Sequence, residues 1–272
     1  MKNALTVDLE DWFCVHNMSR IIRKEDWDKC DLRISANTAR LLSVFERHQA
    51  KATFFVLGWI ADRLPDLVQE IEKKGHEIAS HGYSHALLSE LDPESFTIDL
   101  EKALATTQKC STRPIIGFRA PSFSITEKTK WALDILSSHG IRYDSSVVPT
   151  SFHPDYGVKG SPLSVYPIYP GLVELPISSI RVLGINLPFS GGGYFRLLPY
   201  WLTKYFIQKC HREGRPVVFY LHPWEIDPGQ PRLKLPWTKR FRHYHNLDKT
   251  LDRLERLLQD FEFATIRETF NL

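Results

Sequence analysis

The 272-residue sequence has no run of about 20 apolar residues, the length that is needed to cross a bilayer. Its first residues, Met1 to Val7, lead directly into acidic residues and contain no segment typical of a signal peptide. From these two absences we expect a cytoplasmic, soluble protein.

Cysteine is scarce, with 4 residues and no C-x-x-C pair. The cysteines are widely spaced, at Cys14, Cys30, Cys110 and Cys210. Neither a disulfide framework nor a structural zinc knuckle is indicated, so we expect reduced thiols.

An excess of charge of one sign is also absent, because 35 basic and 32 acidic residues give a net charge of +3. So small a charge argues against a nucleic acid partner. The local exception is the basic run from Lys239 to His243, which predicts a solvated loop. Contact of this run with an anionic substrate or, peripherally, with a membrane surface is the alternative.

Short β-branched and aromatic runs alternate with amphipathic segments along the chain. Predicted strands lie at residues 5–9, 52–57, 77–79, 115–118, 172–175 and 217–221. Predicted helices lie at residues 60–71, 126–140 and 248–260, with loops at 149–170 and 190–195. The alternation indicates an α/β protein with a parallel sheet, either doubly wound or closed into a barrel. No linker divides residues 1–272, and we expect residues 228–272 to pack on this single domain as a C-terminal extension.

Polar side chains follow four of the predicted strands. They are Asp8, Glu10 and Asp11 after the first, His81 and His85 after the third, Arg119 after the fourth and His222 after the sixth. Ligands of parallel α/β sheets bind at the carboxyl ends of the strands. The sequence therefore predicts that these side chains form one site.

His81 and His85, together with a carboxylate, would form a donor set that suits zinc or a similar divalent ion. Three protein ligands leave one coordination position for water. Two histidines at this spacing are more often surface or packing residues, but the carboxylates at a neighbouring strand end favour a metal site. Alternate residues of a strand share a face, so the side chains of Asp8 and Glu10 can point to the same side at the end of the first strand. Asp11 is an alternative ligand or a helix cap.

The ordered set of motifs resembles the polysaccharide deacetylase family, the NodB-homology esterases similar to carbohydrate esterase family 4. It covers about residues 4 to 225 and consists of Thr6–Asp11, Ala52–Val56, His81–His85, Phe118–Phe123, Tyr143–Ser146 and Leu221–Pro223. Residues 219–227 and 242–244 are similar to a subgroup found beside bacterial exopolysaccharide and exosortase gene clusters. The resemblance implies a distorted (β/α) barrel and metal-dependent removal of acetyl groups from sugars.

The resemblance also implies roles for the acidic cluster. The commoner family pattern has two adjacent aspartates, a base followed by a ligand, whereas this chain has Asp8-Leu9-Glu10-Asp11. We expect Asp8 to be the general base. Glu10 would then hold the metal ion, expected to be Zn²⁺, together with the two histidines.

Three further residues match catalytic positions of the family. Arg119 would orient Asp8, since a guanidinium suits a carboxylate. His222 would protonate the leaving amine. Asp144 would hydrogen-bond a catalytic partner, although an Asx-turn is nearly as good an explanation. Predicted substrate contacts are Trp12, Pro121, Phe123, Tyr194 and Trp224. The aromatic members of this set could equally be core residues.

These assignments predict a hydrolase that removes N-acetyl groups from N-acetylhexosamine units, acting on C–N bonds of linear amides. Its partner would be an acetylated amino-sugar glycan or a lipid-linked glycan precursor in surface or exopolysaccharide biosynthesis. The alternatives are hydrolysis of a small linear or cyclic amide and an inactive sugar-binding protein of the same fold.

Overall fold

The structure, a computed structural model, describes residues 1–150 and 156–272. Its strands are β1 (Asn3–Leu9), β2 (Thr53–Val56), β3 (Glu77–Ser80), β4 (Gly117–Phe118), β5 (Tyr143–Asp144), β6 (Tyr166–Tyr169), β7 (Leu172–Glu174), β8 (Ser179–Val182), β9 (Ile185–Pro188), β10 (Val218–Leu221) and β11 (Phe263–Ala264). Its α-helices are α1 (Ile34–Arg47), α2 (Gly58–Arg63), α3 (Pro65–Lys73), α4 (Pro93–Gln108), α5 (Ala132–Ser138), α6 (Gly192–Leu197), α7 (Tyr200–Arg212), α8 (Trp237–Tyr244), α9 (Leu247–Asp260) and α10 (Ile266–Phe270). Short 3-10 helices lie at His16–Met18, Lys24–Lys29, Leu88–Glu90, Pro121–Phe123 and Pro223–Ile226.

A curled sheet in the order β10-β1-β2-β3-β4-β5-β7-β6 forms the centre of the molecule. Its strand pairs are parallel except β6 with β7. The segment that contains the β8–β9 hairpin lies against β10, where Tyr220 N donates to Ser190 O at 2.9 Å and Val218 N to Ser178 Oγ at 2.9 Å. The expected distorted α/β barrel is confirmed.

The inward-pointing side chains of β1 connect the apolar interior of the barrel with its polar end. Leu5, Val7 and Leu9 point outward into the main hydrophobic core beneath the helices. The alternate residues Ala4, Thr6 and Asp8 therefore point inward. Ala4 belongs to the apolar floor of the barrel. The inner face of this strand therefore changes from an apolar residue near its start to the carboxylate of Asp8 near its carboxyl end.

Several elements differ from the sequence prediction. The helix predicted over 60–71 is two helices, since Pro65 disfavours helical geometry at Leu64, which has φ −129° and ψ 56°. Thr126 begins a turn, and α5 starts only at Ala132. The loop predicted at 149–170 contains β6, and its residues 151–155 lie outside the described part of the chain.

Two predicted loops are helical. The basic run 239–243 lies in α8, and the glycine-rich segment 190–195 enters α6 at Gly192. Residues 228–272 supply α8, α9 and α10, and also β11, which pairs with β1. The end of the predicted extension is therefore part of the barrel.

All four cysteines are free thiols, as expected. Among the described residues, no helix combines the length and the apolar character required to span a membrane.

His76, at the start of β3, is a buried titratable group with a consequence for stability. It is 3% exposed, and its Nδ1 accepts a hydrogen bond from Ala52 N at 3.1 Å. Burial, and then the charges of Lys51 and Lys74, lower its pKa to about 3. An unfolded chain, with a histidine pKa of about 6.5, binds the proton more readily. Stability should therefore fall as the pH falls from about 6.5 toward 3.

Replacing this side chain in a His76→Gln variant should flatten that pH dependence. The free energy of unfolding should depend less steeply on pH between pH 6 and 4, by up to about 1.4 kcal/mol per pH unit. Urea denaturation at several pH values measures the slope. As a control, Ser138→Ala, an exposed and non-titrating position at the end of α5, should keep the wild-type slope. Equal slopes for the two variants would contradict the assignment.

Candidate active site

The polar residues that follow separate strands meet at one end of the barrel. They line a cavity of about 270 Å³ at the carboxyl ends of β10, β1 and β3. Its polar wall contains Asp8, Glu10, His81, His85 and His222. Each of these side chains is nearly inaccessible, and the most exposed of them, His222, is 14% exposed. Side chains more than 200 positions apart in the sequence thus share one site.

Glu10, His81 and His85 form a group that could hold a metal ion. One potential ligand atom of each lies within 4.8 Å of the others. Glu10 Oε2 is 2.7 Å from His85 Nε2. Two imidazole nitrogens and a carboxylate oxygen are a donor set of catalytic zinc sites, where the fourth position remains open.

Two observations test whether these residues fit a cation. Glu10 Oε2 is buried and, within the described residues, makes no hydrogen bond of acceptable geometry, although an imidazole lies close to it. His81 Nδ1 lies 2.8 Å from Arg119 O and can donate a hydrogen bond to this carbonyl. In that tautomer the lone pair of Nε2 is free to bind a metal ion. Burial lowers the pKa of His81 to about 4, which leaves the ring neutral at pH 7. The donor set therefore fits a divalent ion.

The loop between the two histidines is held from outside the site. Asp99 of α4 accepts hydrogen bonds from Tyr83 N at 2.8 Å and Ser84 N at 3.1 Å. His85 has a left-handed backbone conformation with φ 53°. Such a conformation is unfavourable for a non-glycine residue and persists where surrounding contacts enforce it. Asp99 thus helps to fix the position of His85.

Asp8 is paired with a fully buried arginine. Arg119 Nη1 donates to Asp8 Oδ1 at 2.6 Å and to Thr6 Oγ1 at 2.8 Å. Its Nε donates to Ser145 O at 2.9 Å and its Nη2 to Ser145 Oγ at 2.8 Å. The guanidinium also lies 4.1 Å from the ring centre of Phe55. The geometry fixes one oxygen of Asp8 and leaves the other facing the cavity.

His222 bridges the acidic residues of two elements. Its Nε2 is 3.1 Å from Glu10 Oε1 and 3.7 Å from Asp8 Oδ2, and its Nδ1 is 3.0 Å from Glu225 Oε2. Burial alone would lower the pKa of His222, but hydrogen bonds to Glu10 and Glu225 and their charges outweigh it and raise the pKa to about 10. The ring therefore carries a proton at pH 7.

Glu225 is in turn held by Arg196. Arg196 Nε donates to Glu225 Oε1 at 2.7 Å, and both side chains are almost fully buried. Burial alone would raise the pKa of Glu225, but Arg196 and His222 reverse this and lower it to about 2. A buried carboxylate paired in this way can hold the imidazole of His222 in one orientation.

The structure places Asp11 and Trp12 away from the cavity. Asp11 Oδ2 accepts from Arg33 N at 2.8 Å and Ile34 N at 3.0 Å, and Oδ1 accepts from Trp12 N at 2.8 Å. Asp11 therefore caps the start of α1. The prediction that Trp12 contacts substrate is corrected, because its ring is 5% exposed in the hydrophobic core and its Nε1 donates to Asp31 O.

Asp144 also needs correction, since it is fully buried and is not among the described residues that line the cavity. It accepts a hydrogen bond from Ser146 Oγ at 2.6 Å, and Ser146 Oγ accepts one from Ala120 N at 2.7 Å. Asp144 Oδ2 also accepts from Ser146 N at 3.3 Å, which is the Asx-turn that the sequence left as the alternative.

Four predicted substrate contacts remain, and three of them line the cavity: Phe123, Tyr194 and Trp224. Pro121 does not reach it among the described residues, because it begins a short 3-10 helix and is buried. The following Ser122 and Phe123 line the cavity, and both have positive φ, 52° and 56°. This strained turn brings the Phe123 ring to the cavity wall.

Three residues that support the site were not identified from the sequence: Asp99, Arg196 and Glu225. Glu225 had a usable signal, since it lies three residues after His222 and directly after Trp224. Arg196 and Asp99 had none, because their contacts join helices to loops far away in the chain. Tyr156 and Tyr220 also line the cavity, although the sequence predicts only a loop around the first and a strand around the second.

Comparison with known proteins agrees with this fold. Residues 26–143 match the family model described as polysaccharide deacetylase, and residues 145–271 match one described as a domain of unknown function. A protein from Mycobacterium smegmatis, described as a candidate polysaccharide deacetylase, has a crystal structure similar to all of this chain and 90% of its own, with a TM-score of 0.61 and 19% identity. At this identity the likeness shows the fold.

Curated relatives match a shorter part of the chain. A peptidoglycan deacetylase-like protein of Gibberella zeae is 31% identical over 128 residues, which are 46% of this chain and 37% of the relative. A peptidoglycan-N-acetylglucosamine deacetylase of Bacillus cereus is 31% identical over 98 residues, which are 36% of this chain and 36% of the relative. This chain therefore aligns with little more than a third of the length of either relative.

Residues 26–143 of the chain therefore belong to the polysaccharide deacetylase family. The stretch matched to that family contains His81, His85 and Arg119. His222 and Glu225 lie in the second matched stretch. The cavity therefore combines residues of both matched stretches.

Proposed function

We propose that the protein is a metal-dependent hydrolase that removes N-acetyl groups from N-acetylhexosamine units of a glycan, with zinc as the expected ion. The observation that carries this proposal is the arrangement around Glu10. Its carboxylate lies beside both histidines, while His222 Nε2 is 3.1 Å from it and Asp8 lies on the same side. A potential base, a proton donor and a three-donor metal group thus line one cavity.

The chain's own residues divide the chemistry between them. Glu10, His81 and His85 would hold the ion, which when bound lowers the pKa of a coordinated water to about 7. Asp8, held by Arg119 at one oxygen, would accept a proton from the attacking water through the other. His222, held by Glu225, would give its proton to the departing amine nitrogen.

The walls of the cavity suit an acetylated sugar. Phe123, Tyr194, Tyr220 and Trp224 supply aromatic surface around the polar residues. Aromatic rings can pack against the apolar face of a sugar ring or against an acetyl methyl group. The expected substrate is a polysaccharide, an oligosaccharide or a lipid-linked precursor. A role in exopolysaccharide biosynthesis and a cytoplasmic location stay predictions.

Acetate release tests the proposed activity. Purified protein should contain about one divalent ion per chain. It should release acetate from chitooligosaccharides, lose this activity on dialysis against a chelator, and regain it with Zn²⁺. Incubation with linear and cyclic amides serves as the comparison. Hydrolysis of these without acetate release from sugars would favour the small-amide alternative. Sugar binding without metal or turnover would favour an inactive binding protein.

A further inference from the structure

Helix α8 presents large aromatic rings to solvent. Trp237 is 77% exposed and Phe241 is 43% exposed. They lie one turn apart, and their rings stack with centroids 5.9 Å apart and an angle of 18° between the planes. Adjacent exposed aromatic rings form an apolar patch, which on a folded protein often marks an interaction surface.

The segment around this patch carries charge of a single sign. Residues 228–247 contain no Asp or Glu and five basic residues: Arg232, Lys234, Lys239, Arg240 and Arg242. The whole chain, in contrast, is nearly balanced, with 35 basic and 32 acidic residues. Lys239 and Arg240 have no ion-pair partner in the part of the chain that the structure describes. Arg240 is exposed and Lys239 is half-buried, so the charge of Arg240 above all is available to an external anion.

The same helix adjoins the candidate active site. Arg242 and His243 of α8 line the cavity. Arg196 of α6 donates to the carbonyl oxygens of His243 at 2.9 Å and His245 at 3.0 Å, which ties the two helices together. The next residue, Leu197, also lines the cavity and is 39% exposed. Through Arg242 and His243, α8 thus borders the cavity, directly after Phe241 in the chain.

We propose that α8 binds the surface of an anionic phospholipid bilayer and thereby presents the cavity to a glycan anchored in that membrane. Trp237 and Phe241 would enter the headgroup region, where aromatic rings partition favourably. Lys239 and Arg240 would face the lipid phosphates. The surface itself is inferred without reference to catalysis, whereas the anchored substrate rests on the proposed function.

Charge distinguishes this partner from a free polysaccharide. Aromatic rings can also serve as a platform for sugars. Deacetylation, however, converts a neutral amide into an amine that is positively charged at neutral pH. The basic segment 228–247, which contains no Asp or Glu, would repel a chain of such amines. An anionic lipid surface has the complementary charge.

Vesicle flotation tests the surface without any turnover. The wild-type protein should bind vesicles of phosphatidylcholine with about one third phosphatidylglycerol far better than pure phosphatidylcholine vesicles. Each basic residue near an anionic surface contributes about fivefold to binding. The double variant Lys239→Glu/Arg240→Glu should therefore bind more than about tenfold more weakly. The double variant Trp237→Ser/Phe241→Ser should also lose vesicle binding, because it removes the two aromatic rings that would enter the headgroup region.

A matched control lies on the β8–β9 hairpin, where Leu183 is 96% exposed. Leu183→Ser should bind vesicles like the wild type. This result would show that binding depends on the surface of α8 and not on exposed apolar residues in general. Circular dichroism and acetate release from a soluble oligosaccharide should be unchanged in all three variants. Wild-type protein that does not float, or helix variants that float like the wild type, would overturn the proposal. Helix variants that keep vesicle binding but raise KM for soluble oligosaccharides would assign α8 to sugar binding instead.

Discussion

Replacing Asp8 by asparagine should lower kcat for deacetylation by about 10²–10⁴-fold, the usual contribution of a general base. The amide cannot accept the proton of the attacking water. It keeps the shape of the side chain, and its oxygen can still accept the hydrogen bond from Arg119 Nη1 that Asp8 Oδ1 accepts at 2.6 Å. The metal content should stay at the wild-type level, because Asp8 is not part of the group formed by Glu10 and the two histidines. Acetate release and elemental analysis of the same preparation measure both quantities.

The matched variant is Glu10→Gln, two residues away on the same face of the chain. It removes the carboxylate that lies 2.7 Å from His85 Nε2, so we expect both metal content and activity to fall. Asp8→Asn should thus separate metal binding from turnover, while Glu10→Gln should lose them together. If Asp8→Asn also emptied the protein of metal, Asp8 would be a ligand and the division of roles would be wrong.

The acidic cluster shows what the sequence alone could predict about the site. The alternation of side chains along a strand places Asp8 and Glu10 on one face, and the structure has both in the cavity wall. Asp11 could not be assigned by alternation, because β1 ends at Leu9. Its carboxylate turns to the start of α1, and that choice depends on where the helix packs.

The supporting residues depend on tertiary contacts that no local pattern records. Arg196 pairs with Glu225 across 29 positions of the sequence. Trp12 and Trp224 are both aromatic residues near a strand end, yet only Trp224 lines the cavity. Trp12 packs among Phe13 and other core aromatic residues instead. Residue type therefore predicted candidates, while packing decided among them.

The fold was predictable where a strand belongs to a run of buried apolar residues, as in β1 and in the short β4, which follows Ile115 and Ile116. β1 has seven buried residues and was recognised, whereas β5, with two residues, was not. So short a strand exists because β4 and β7 pair with it on either side. The sequence prediction of a loop at the basic run overlooked the helical spacing of Trp237, Phe241 and Tyr244 around it. Part of the order of α8 also comes from Arg196, which donates to the carbonyl oxygens at its end.

Replacing Arg119 by methionine should destabilise the protein by about 3–5 kcal/mol, the usual result of removing one partner of a buried ion pair. Arg119 is fully buried, and its guanidinium donates four hydrogen bonds to Asp8, Thr6 and Ser145. Methionine fills part of the volume but leaves the carboxylate of Asp8 without its cation. The free energy of unfolding from urea denaturation measures the loss, and acetate release should fall together with it.

A double-mutant cycle shows whether this loss comes from the charge of Asp8. In the double variant Arg119→Met/Asp8→Asn the uncompensated charge is gone, so a large part of the lost stability should return while activity stays absent. Arg119→Lys keeps a cation but not the planar guanidinium, and we expect a smaller loss of stability with a low kcat. If the effects of the two single changes simply added, Arg119 would stabilise the barrel through packing on Phe55 and the hydrogen bonds to Ser145 rather than through its pair with Asp8.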